Sequence, residues 1–201
     1  MNKIIVRPLS IQDDFKTVSK LIYYTDKWVY PALFDNDVEL AMKVIPKMMM
    51  LNTVFSYLNI QIACIGNIIV GVMVFMRDYP KSNYQDMKSA FLNTIGKVTP
   101  RFEETMDGYF NLLDFSFKGI QILNLSVDNN YQNRHVAQTM IESLSKNETY
   151  SLACVKENLP ARKLYEKTGF HYLYDYPGFT GIICVELVRY GSEENTNGDI
   201  R

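Results

Sequence analysis

Cysteine and histidine are scarce in this sequence. The chain of 201 residues contains three cysteines and two histidines. Cys64, Cys154 and Cys184 are odd in number, lie far apart and each sit in a strand-like apolar run. A reduced thiol in such a run behaves as a small hydrophobic side chain. We therefore predict buried, reduced cysteines rather than a disulfide, a nucleophile or a metal centre, and we predict no metal site.

An excess of positive charge and a long hydrophobic run are also absent. The formal net charge is −1 and the isoelectric point is about 6.1, so the protein has no global cationic field with which to hold a phosphate polymer. The longest apolar stretch, Ile68–Met76, is about half as long as a membrane-spanning helix. Residues Met1 to Pro8 resemble neither a signal peptide nor a transit peptide. We predict no nucleic acid partner, no membrane partner and a cytoplasmic location.

What the sequence does contain is the composition of a globular domain. Hydrophobic residues make up 47% of the chain, charged residues 21% and aromatic residues 13%, which argues against disorder. The length suits one domain and is short for two. We predict a single domain over residues 1–190, followed by a polar and mobile tail over residues 191–201 that lacks apolar periodicity.

Apolar periodicity and capping signals predict helices throughout the first half. Ser10 followed by Asp13 resembles a capping box that opens a first helix. A second helix is predicted to begin near Asp35, and Pro46 should kink or divide it. Two further helical patterns fill residues 78–119.

Strand-like runs alternate with these helices. The pair Gly66-Asn67 can adopt the positive φ of a tight turn and joins two of the runs into a hairpin. The predicted strands are Ile4 to Arg7, Phe55 to Ile65, Ile68–Met76, Ile120–Val127, Tyr150–Val155, Phe170 to Tyr176 and Gly181 to Tyr190. Their order predicts one mixed sheet flanked by helices, in the α/β (α+β) class.

The most informative unit is a strand that leads through a polar loop into a helix. The strand I-Q-I-L-N-L-S-V (Ile120–Val127) is followed by Asp128 and then by N-N-Y-Q-N-R-H-V-A over residues 129–137. A helix N-terminus presents unpaired N–H groups and a partial positive charge, so such a turn suits a pyrophosphate. The glycine patterns of dinucleotide folds and P-loops are absent. A phosphorylated ligand would have to be held in another way.

Two motifs make this region resemble the GNAT (Gcn5-related N-acetyltransferase) superfamily. The family signature Q/R-x-x-G-x-G/A corresponds to Q-N-R-H-V-A from Gln132 to Ala137. The string N-L-P-A-R-K-L-Y-E-K-T-G-F from Asn158 to Phe170 matches a second family element and is the stronger evidence. The resemblance covers Ile120 to Tyr176 in detail. It implies a mostly antiparallel central sheet flanked by helices. The helical insertion at residues 78–119 departs from the family, which commonly has a short connection between its third and fourth strands.

The resemblance also implies an activity and a set of site residues. The activity is an acyl-CoA-dependent N-acyltransferase that moves an acetyl group from acetyl-CoA, as co-substrate, to a small-molecule or peptide amine. Tyr165 is implied as the catalytic residue, because its hydroxyl is placed in the family to protonate the departing thiolate, a task that suits a phenol. The implied acetyl-CoA-binding residues are Leu125, Ser126, Val127, Gln132, Asn133, Arg134, His135, Val136, Ala137, Asn158, Ala161 and Tyr165.

Three features leave alternatives open. His135 occupies the usual glycine position of the motif. Its Cβ obstructs the approach of a phosphate, or His135 and Arg134 compensate as side-chain donors to that phosphate, or the imidazole faces solvent. The fourth strand contains no carboxylate to act as a base, and neither Asp114 nor Asp128 can be named from spacing. The insertion at residues 78–119 either covers the acceptor site or forms a homodimer surface.

Competing hypotheses follow for the aromatic residues and for the whole chain. Tyr165 is either the acid or a core aromatic, and Tyr23, Tyr24, Trp28 and Tyr30 are either a pocket wall or plain core. The pair of His171 and Cys154 lacks a third orienting group for nucleophilic catalysis. The alternative to an enzyme is a GNAT-like module that binds CoA without turnover, and a third reading is an interaction protein that has lost the cofactor site.

Overall fold

One mixed sheet of seven strands organises the part of the chain that the computed structural model describes, which is residues 3–77, 82–112, 119–179 and 181–192. The strands are β1 (Ile4–Pro8), β2 (Ile60–Ile65), β3 (Ile68–Met76), β4 (Ile120–Val127), β5 (Tyr150–Val155), β6 (His171–Pro177) and β7 (Ile183–Arg189). Their order is β1-β2-β3-β4-β5-β7-β6, and every neighbouring pair is antiparallel except β4 and β5. The predicted fold class is confirmed.

Helices cover both faces of this sheet. They are α1 (Phe15–Tyr23), α2 (Val29–Leu33), α3 (Val38–Met49), α4 (Ser82–Ile95), α5 (Phe102–Leu112), α6 (Val136–Glu142) and α7 (Leu159–Lys167). Side chains of α1 to α5 share one apolar core, whereas those of α6 and α7 pack into a second. Successive residues of β3, such as Val72 and Met73, belong to different cores because strand side chains alternate between faces. The helical insertion, α4 and α5, therefore lies on the face opposite α6 and α7.

The start of α1 differs from the prediction by one turn. The N-cap is Asp14, whose carboxylate accepts hydrogen bonds from the amides of Lys16 and Thr17. The predicted pair Ser10 and Asp13 is present, since the Asp13 carboxylate accepts from Ser10 N at 2.8 Å. Asp13 also forms a two-pronged ion pair with Arg7 at 2.6 and 2.7 Å, which ties the turn to β1 instead of opening the helix.

Tertiary packing changes two further local predictions. Pro46 does not divide the helix: α3 continues through Pro46 to Met49, because Ile45 and Met49 are fully buried on either side and packing outweighs one lost helical hydrogen bond. The run predicted as a strand from Phe55 becomes β2 only at Ile60. Before that residue the chain makes a 3₁₀ turn, with Phe55 buried among the helices. The short helix α2 was not predicted.

The strands β4 and β5 separate soon after they pair. Their parallel pairing extends only from Ile120 with Tyr150 to Ile122 with Leu152. At the next residue, Leu123, the β3–β4 register shifts, so Leu123 is an extra residue in β4. Such a bulge bends its strand and ends pairing locally. Beyond it, the β5-facing edge of β4 pairs with no other described strand, and a gap opens within the sheet.

The last two described residues, Gly191 and Ser192, form hydrogen bonds with the segment before β5. Gly191 N donates to Thr149 Oγ1 at 2.9 Å, and Ser192 N donates to Lys146 O at 2.9 Å. The rest of the predicted tail, residues 193–201, lies outside the described residues. Among the residues that are described, no helix is both long and apolar enough to cross a membrane.

Candidate active site

Three neighbouring cavities follow the gap between β4 and β5. We name them the α6–α7 groove, beside those two helices, the central cavity, within the gap, and the hairpin pocket, at the turn between β6 and β7. Leu125 and Tyr165 line both the groove and the central cavity, whereas Asp26 and Cys154 line both the central cavity and the hairpin pocket. Because they share walls, the three cavities lie side by side along the gap, and we call this row of cavities the passage.

The loop after β4 shapes the α6–α7 groove. Asn133 and His135 have left-handed backbone conformations, with φ of 59° and 62°. The first backbone hydrogen bond of α6 runs from Thr139 N to His135 O at 2.9 Å. The amides of the first three residues of α6 therefore have no partner within the helix. Such amides can donate to an anionic ligand, and this end of α6 lies against the groove.

Most of the predicted ligand-binding residues meet at this groove. Those that line it are Leu125, Val127, Gln132, Asn133, His135, Val136, Ala137, Asn158, Ala161 and Tyr165. Ser126 does not, since it pairs with Val72 and points to the opposite face of the sheet. Arg134 does not line it either, because its guanidinium stacks on the Tyr131 ring at 5.2 Å. The groove also contains residues that were not predicted to bind the ligand, which are Tyr131, Gln138, Pro160 and Leu164.

The string from Asn158 to Phe170 builds α7 in a simple way. Asn158 is the N-cap and accepts from Ala161 N at 3.3 Å through Oδ1. Pro160 occupies the first turn, where a missing N–H costs nothing. Gly169 follows the last turn with φ of 92°, a conformation that favours glycine. The helix thereby presents Ala161 and Tyr165, four residues apart, to the groove.

Tyr165 lies at the junction between the groove and the central cavity. Its ring is half-buried, contacts Phe170 edge to face at 5.9 Å, and has its remaining surface toward these cavities. Burial raises the pKa of the Tyr165 phenol far above its ordinary value, and the nearby Cys154 thiol adds to this effect. The hydroxyl therefore keeps its proton throughout the neutral and mildly alkaline range and can act as a donor.

The cysteines do not form a nucleophilic site. Burial raises the pKa of the Cys154 thiol to about 11, so little thiolate exists near neutral pH. His171 lies on β6, which is separated from β5 by β7, and it pairs with Val188 whereas Cys154 pairs with Val185. Two strand spacings of about 4.8 Å each place this histidine out of reach. Cys64 is buried in the helical core, as predicted.

The four aromatic residues between Tyr23 and Tyr30 divide between pocket and core. Trp28 lines the central cavity and the hairpin pocket. Tyr30 lines the central cavity, where its hydroxyl donates to Asn124 Oδ1 at 3.0 Å. Tyr23 is a core residue, and Tyr24 is exposed.

The passage contains a carboxylate that sequence patterns did not indicate. Asp26, in the loop between α1 and α2, lines the central cavity and the hairpin pocket. Of the two acids weighed from the sequence, Asp128 lines neither cavity and accepts from Asn130 N, whereas Asp114 lies outside the described residues. The acids of α5 do not line either cavity: Glu103 pairs with Lys88 at 2.8 Å, and Glu104 and Asp107 are exposed.

Comparison with known proteins identifies the family. The sequence profile of the Acetyltransferase (GNAT) family matches residues 56–170, which is more than half of the chain and includes the groove and α7. The chain belongs to the GNAT acetyltransferase family. No curated protein is similar to this GNAT chain in sequence at a significant level.

Solved structures share the fold of this GNAT protein at low identity. An N-acetyltransferase from Staphylococcus aureus Mu50 has 16% identity and a TM-score of 0.70, covering 92% of this chain and 99% of its own. The NatC complex bound to Gag peptide and CoA has 15% identity and a TM-score of 0.52, covering 94% and 98%. Arabidopsis thaliana Naa50, in complex with the bisubstrate analogue CoA-Ac-MVNAL, has 11% identity and a TM-score of 0.52, covering 92% and 97%.

Proposed function

We propose that this GNAT protein transfers the acetyl group of acetyl-CoA to a primary amine by direct attack in a ternary complex. The observation that carries the proposal is the passage between β4 and β5, in which a groove suited to CoA lies beside a separate pocket for an acceptor. Tyr165 lines the groove and the central cavity, where donor and acceptor would meet. Family membership supports the chemistry, and this position supports the role of Tyr165.

The residues of the groove fit acetyl-CoA. The amides from Asn133 to Gln138 would hold the pyrophosphate, since the loop turns through two left-handed residues and leaves the first helical amides free. The edge of β4 that faces β5 would offer backbone groups at Leu125 and Val127 to the pantetheine arm. Asn158 and Tyr165 would flank the thioester end.

The proposed transfer uses one acid and one base. When bound, acetyl-CoA supplies an activated thioester carbonyl. The neutral amine nitrogen forms a C–N bond to that carbonyl carbon as the C–S bond breaks, and the amine gives up one proton to a base. Tyr165 donates its hydroxyl proton to the departing sulfur and regains a proton from solvent. The products are an N-acetylated amine and free CoA.

Binding of acetyl-CoA is the first experimental test. At a ligand concentration of about 100 times Kd, binding stabilises the folded state by about 2.7 kcal/mol, which corresponds to a rise in Tm of about 5–10 °C for a domain of this size. Differential scanning fluorimetry with acetyl-CoA should show this rise. An unchanged Tm with acetyl-CoA in large excess over a micromolar affinity would rule out a CoA site.

The second candidate is a GNAT-like module that binds CoA without turnover. It is favoured by His135, whose Cβ stands at the glycine position of the family motif beside the groove. The two candidates agree on binding and differ in catalysis. Release of free CoA thiol across a panel of amines distinguishes them, because only the enzyme produces it.

Replacement of His135 by glycine tests the altered motif. An L-residue in the left-handed conformation costs about 1–2 kcal/mol, so we expect His135→Gly to raise the free energy of unfolding by up to about 1 kcal/mol. The affinity for acetyl-CoA should stay the same or improve, because the amide remains and the side chain is removed. Chemical denaturation and isothermal titration calorimetry measure the two quantities.

The matched control is His135→Ala, which removes the imidazole and keeps a Cβ in the left-handed conformation. We expect it to lack the gain in stability. A ten-fold loss of acetyl-CoA affinity in both variants, about 1.4 kcal/mol, would show that the imidazole itself contacts the ligand.

A further inference from the structure

Asp26 contributes a negative charge to the central cavity and the hairpin pocket. Among the described residues that line the central cavity and the hairpin pocket, it is the only one with a charged side chain. Tyr165 lines the same central cavity from α7. A carboxylate and a phenol thus border one space, in which the proposed transfer would take place.

Only one oxygen of Asp26 is used by the fold. Oδ1 accepts hydrogen bonds from Trp28 N and Val29 N, both at 2.6 Å, and so fixes the start of α2. Oδ2 accepts no hydrogen bond from the described residues, and the carboxylate forms no salt bridge within them. Capping of α2 requires an acceptor oxygen, which an asparagine would also supply. The structural role of Asp26 therefore does not require its negative charge.

The electrostatic surroundings of the hairpin pocket are negative. Cys184 lines this pocket, and its pKa is raised by burial and further by the carboxylates of Asp26, Glu157 and Glu186. On the α7 side, the cationic Arg162 donates to Lys156 O at 3.1 Å and lies 3.9 Å from the carboxylate of Glu166. A cationic ligand is favoured in the hairpin pocket, and an anionic one is repelled.

Aromatic rings form much of the remaining wall. Trp28, Tyr176 and Phe179 line the hairpin pocket with Asp26. A cation over an aromatic face is attracted by the electron density of the ring, and more strongly when it is removed from water. A carboxylate combined with aromatic rings is the chemistry that recognises an organic ammonium group.

The described part of the helical insertion packs against this wall. At Gly108 of α5, an added Cβ would lie 2.7 Å from Phe179 Cε2, so the backbone of α5 rests directly on the Phe179 ring. Just before α5, Thr99 Oγ1 donates to Leu33 O at the end of α2, at 2.7 Å. The insertion is thereby attached to both elements that form the pocket, the hairpin turn and α2. A pocket bounded in this way suits a compact molecule better than an extended polypeptide.

We propose that Asp26 binds the acceptor through its ammonium group and that the acceptor is a compact primary amine, cationic in solution. This inference rests on the proposed function. Asp26 Oδ2 pairs with the ammonium, takes one of its protons and passes it to solvent, which leaves the neutral nitrogen that attacks the thioester. Asp26 thus serves as the base that β4 does not provide.

Asp26→Asn tests this role with little change in structure, because asparagine keeps the Oδ1 acceptor for Trp28 N and Val29 N. The probes are cyclohexylamine, an ammonium at pH 7.5, and aniline, a ring of similar size that is neutral at that pH. Each is titrated by calorimetry into protein saturated with CoA. The control variant is Asp35→Asn, which removes an exposed carboxylate outside the cavities, at a φ of 53° that asparagine tolerates.

We expect Asp26→Asn to weaken cyclohexylamine binding at least ten-fold, about 1.4 kcal/mol, with aniline and CoA unaffected. Asp35→Asn should match the unmodified protein. Equal binding of cyclohexylamine to the unmodified protein and Asp26→Asn, or preferential binding of a tetrapeptide independent of Asp26, would overturn the inference.

A thiol-release assay on the same samples separates this inference from the proposed function. Binding of cyclohexylamine that depends on Asp26, without any release of CoA from acetyl-CoA, would support the cation site and refute the transferase. Release of CoA with an amine whose KM is unchanged in Asp26→Asn would refute the cation site and support the transferase.

Discussion

Replacement of Tyr165 by phenylalanine is expected to slow acetyl transfer by roughly 10² to 10⁴, the usual contribution of a positioned proton donor. Phenylalanine keeps the ring and its contact with Phe170 while it removes the only proton that the side chain can donate. The affinity for acetyl-CoA should remain nearly constant, because the hydroxyl acts on the departing sulfur and not on the bound ground state. Steady-state kinetics and calorimetry measure the rate and the affinity separately.

Tyr24→Phe provides the matched control for this substitution. Tyr24 is exposed and lines none of the three cavities. Removal of the hydroxyl in this control should leave the rate of acetyl transfer nearly unchanged. An unchanged rate in Tyr165→Phe with an established amine would remove Tyr165 from the mechanism, and a large fall in Tm would make it a core aromatic.

Replacement of Ala161 by tryptophan is expected to abolish most acetyl-CoA binding. Ala161 lines the groove between the Asn158 cap and Tyr165, so a large ring there fills the space assigned to the pantetheine arm. The affinity should fall by at least about 100-fold, or about 2.7 kcal/mol. The helix should persist, because the backbone amide that donates to Asn158 Oδ1 is retained. Calorimetry measures the affinity.

Lys163→Trp is the control, since Lys163 belongs to the same helix and is exposed outside the groove. It adds the same ring without entering the groove and should bind acetyl-CoA normally. Normal acetyl-CoA affinity in a folded Ala161→Trp variant would show that CoA does not pass between α7 and β4.

Local sequence patterns were sufficient to predict those parts of the structure that residues close together in the chain determine. The cap at Asn158, the proline after it and the glycine at 169 define α7 within one short string, so this helix and its groove-facing residues could be predicted. The parallel step from β4 to β5 follows from the loop and helix between them. Each of these features depends on residues close together in the chain.

Features that depend on distant contacts could not be predicted in this way. Asp26 becomes part of the passage only because the loop after α1 packs against strands more than ninety residues away, β4 and β5. The approach of Gly108 to Phe179 likewise joins the insertion to the final hairpin. The bulge at Leu123, which opens the sheet, is a pairing defect with no glycine or proline to mark it. Apolar periodicity in the sequence does not indicate contacts between segments that lie far apart in the chain.

The most direct test of the central claim is a product balance by mass spectrometry. Protein, acetyl-CoA and a compact primary amine are incubated together, and free CoA, N-acetylated amine and intact protein mass are measured over time. The proposed function predicts one N-acetylated amine for each CoA released, no release without amine, and no acetylated intermediate on the protein. Tight binding of acetyl-CoA without any N-acetylated product would contradict it and favour the CoA-binding module.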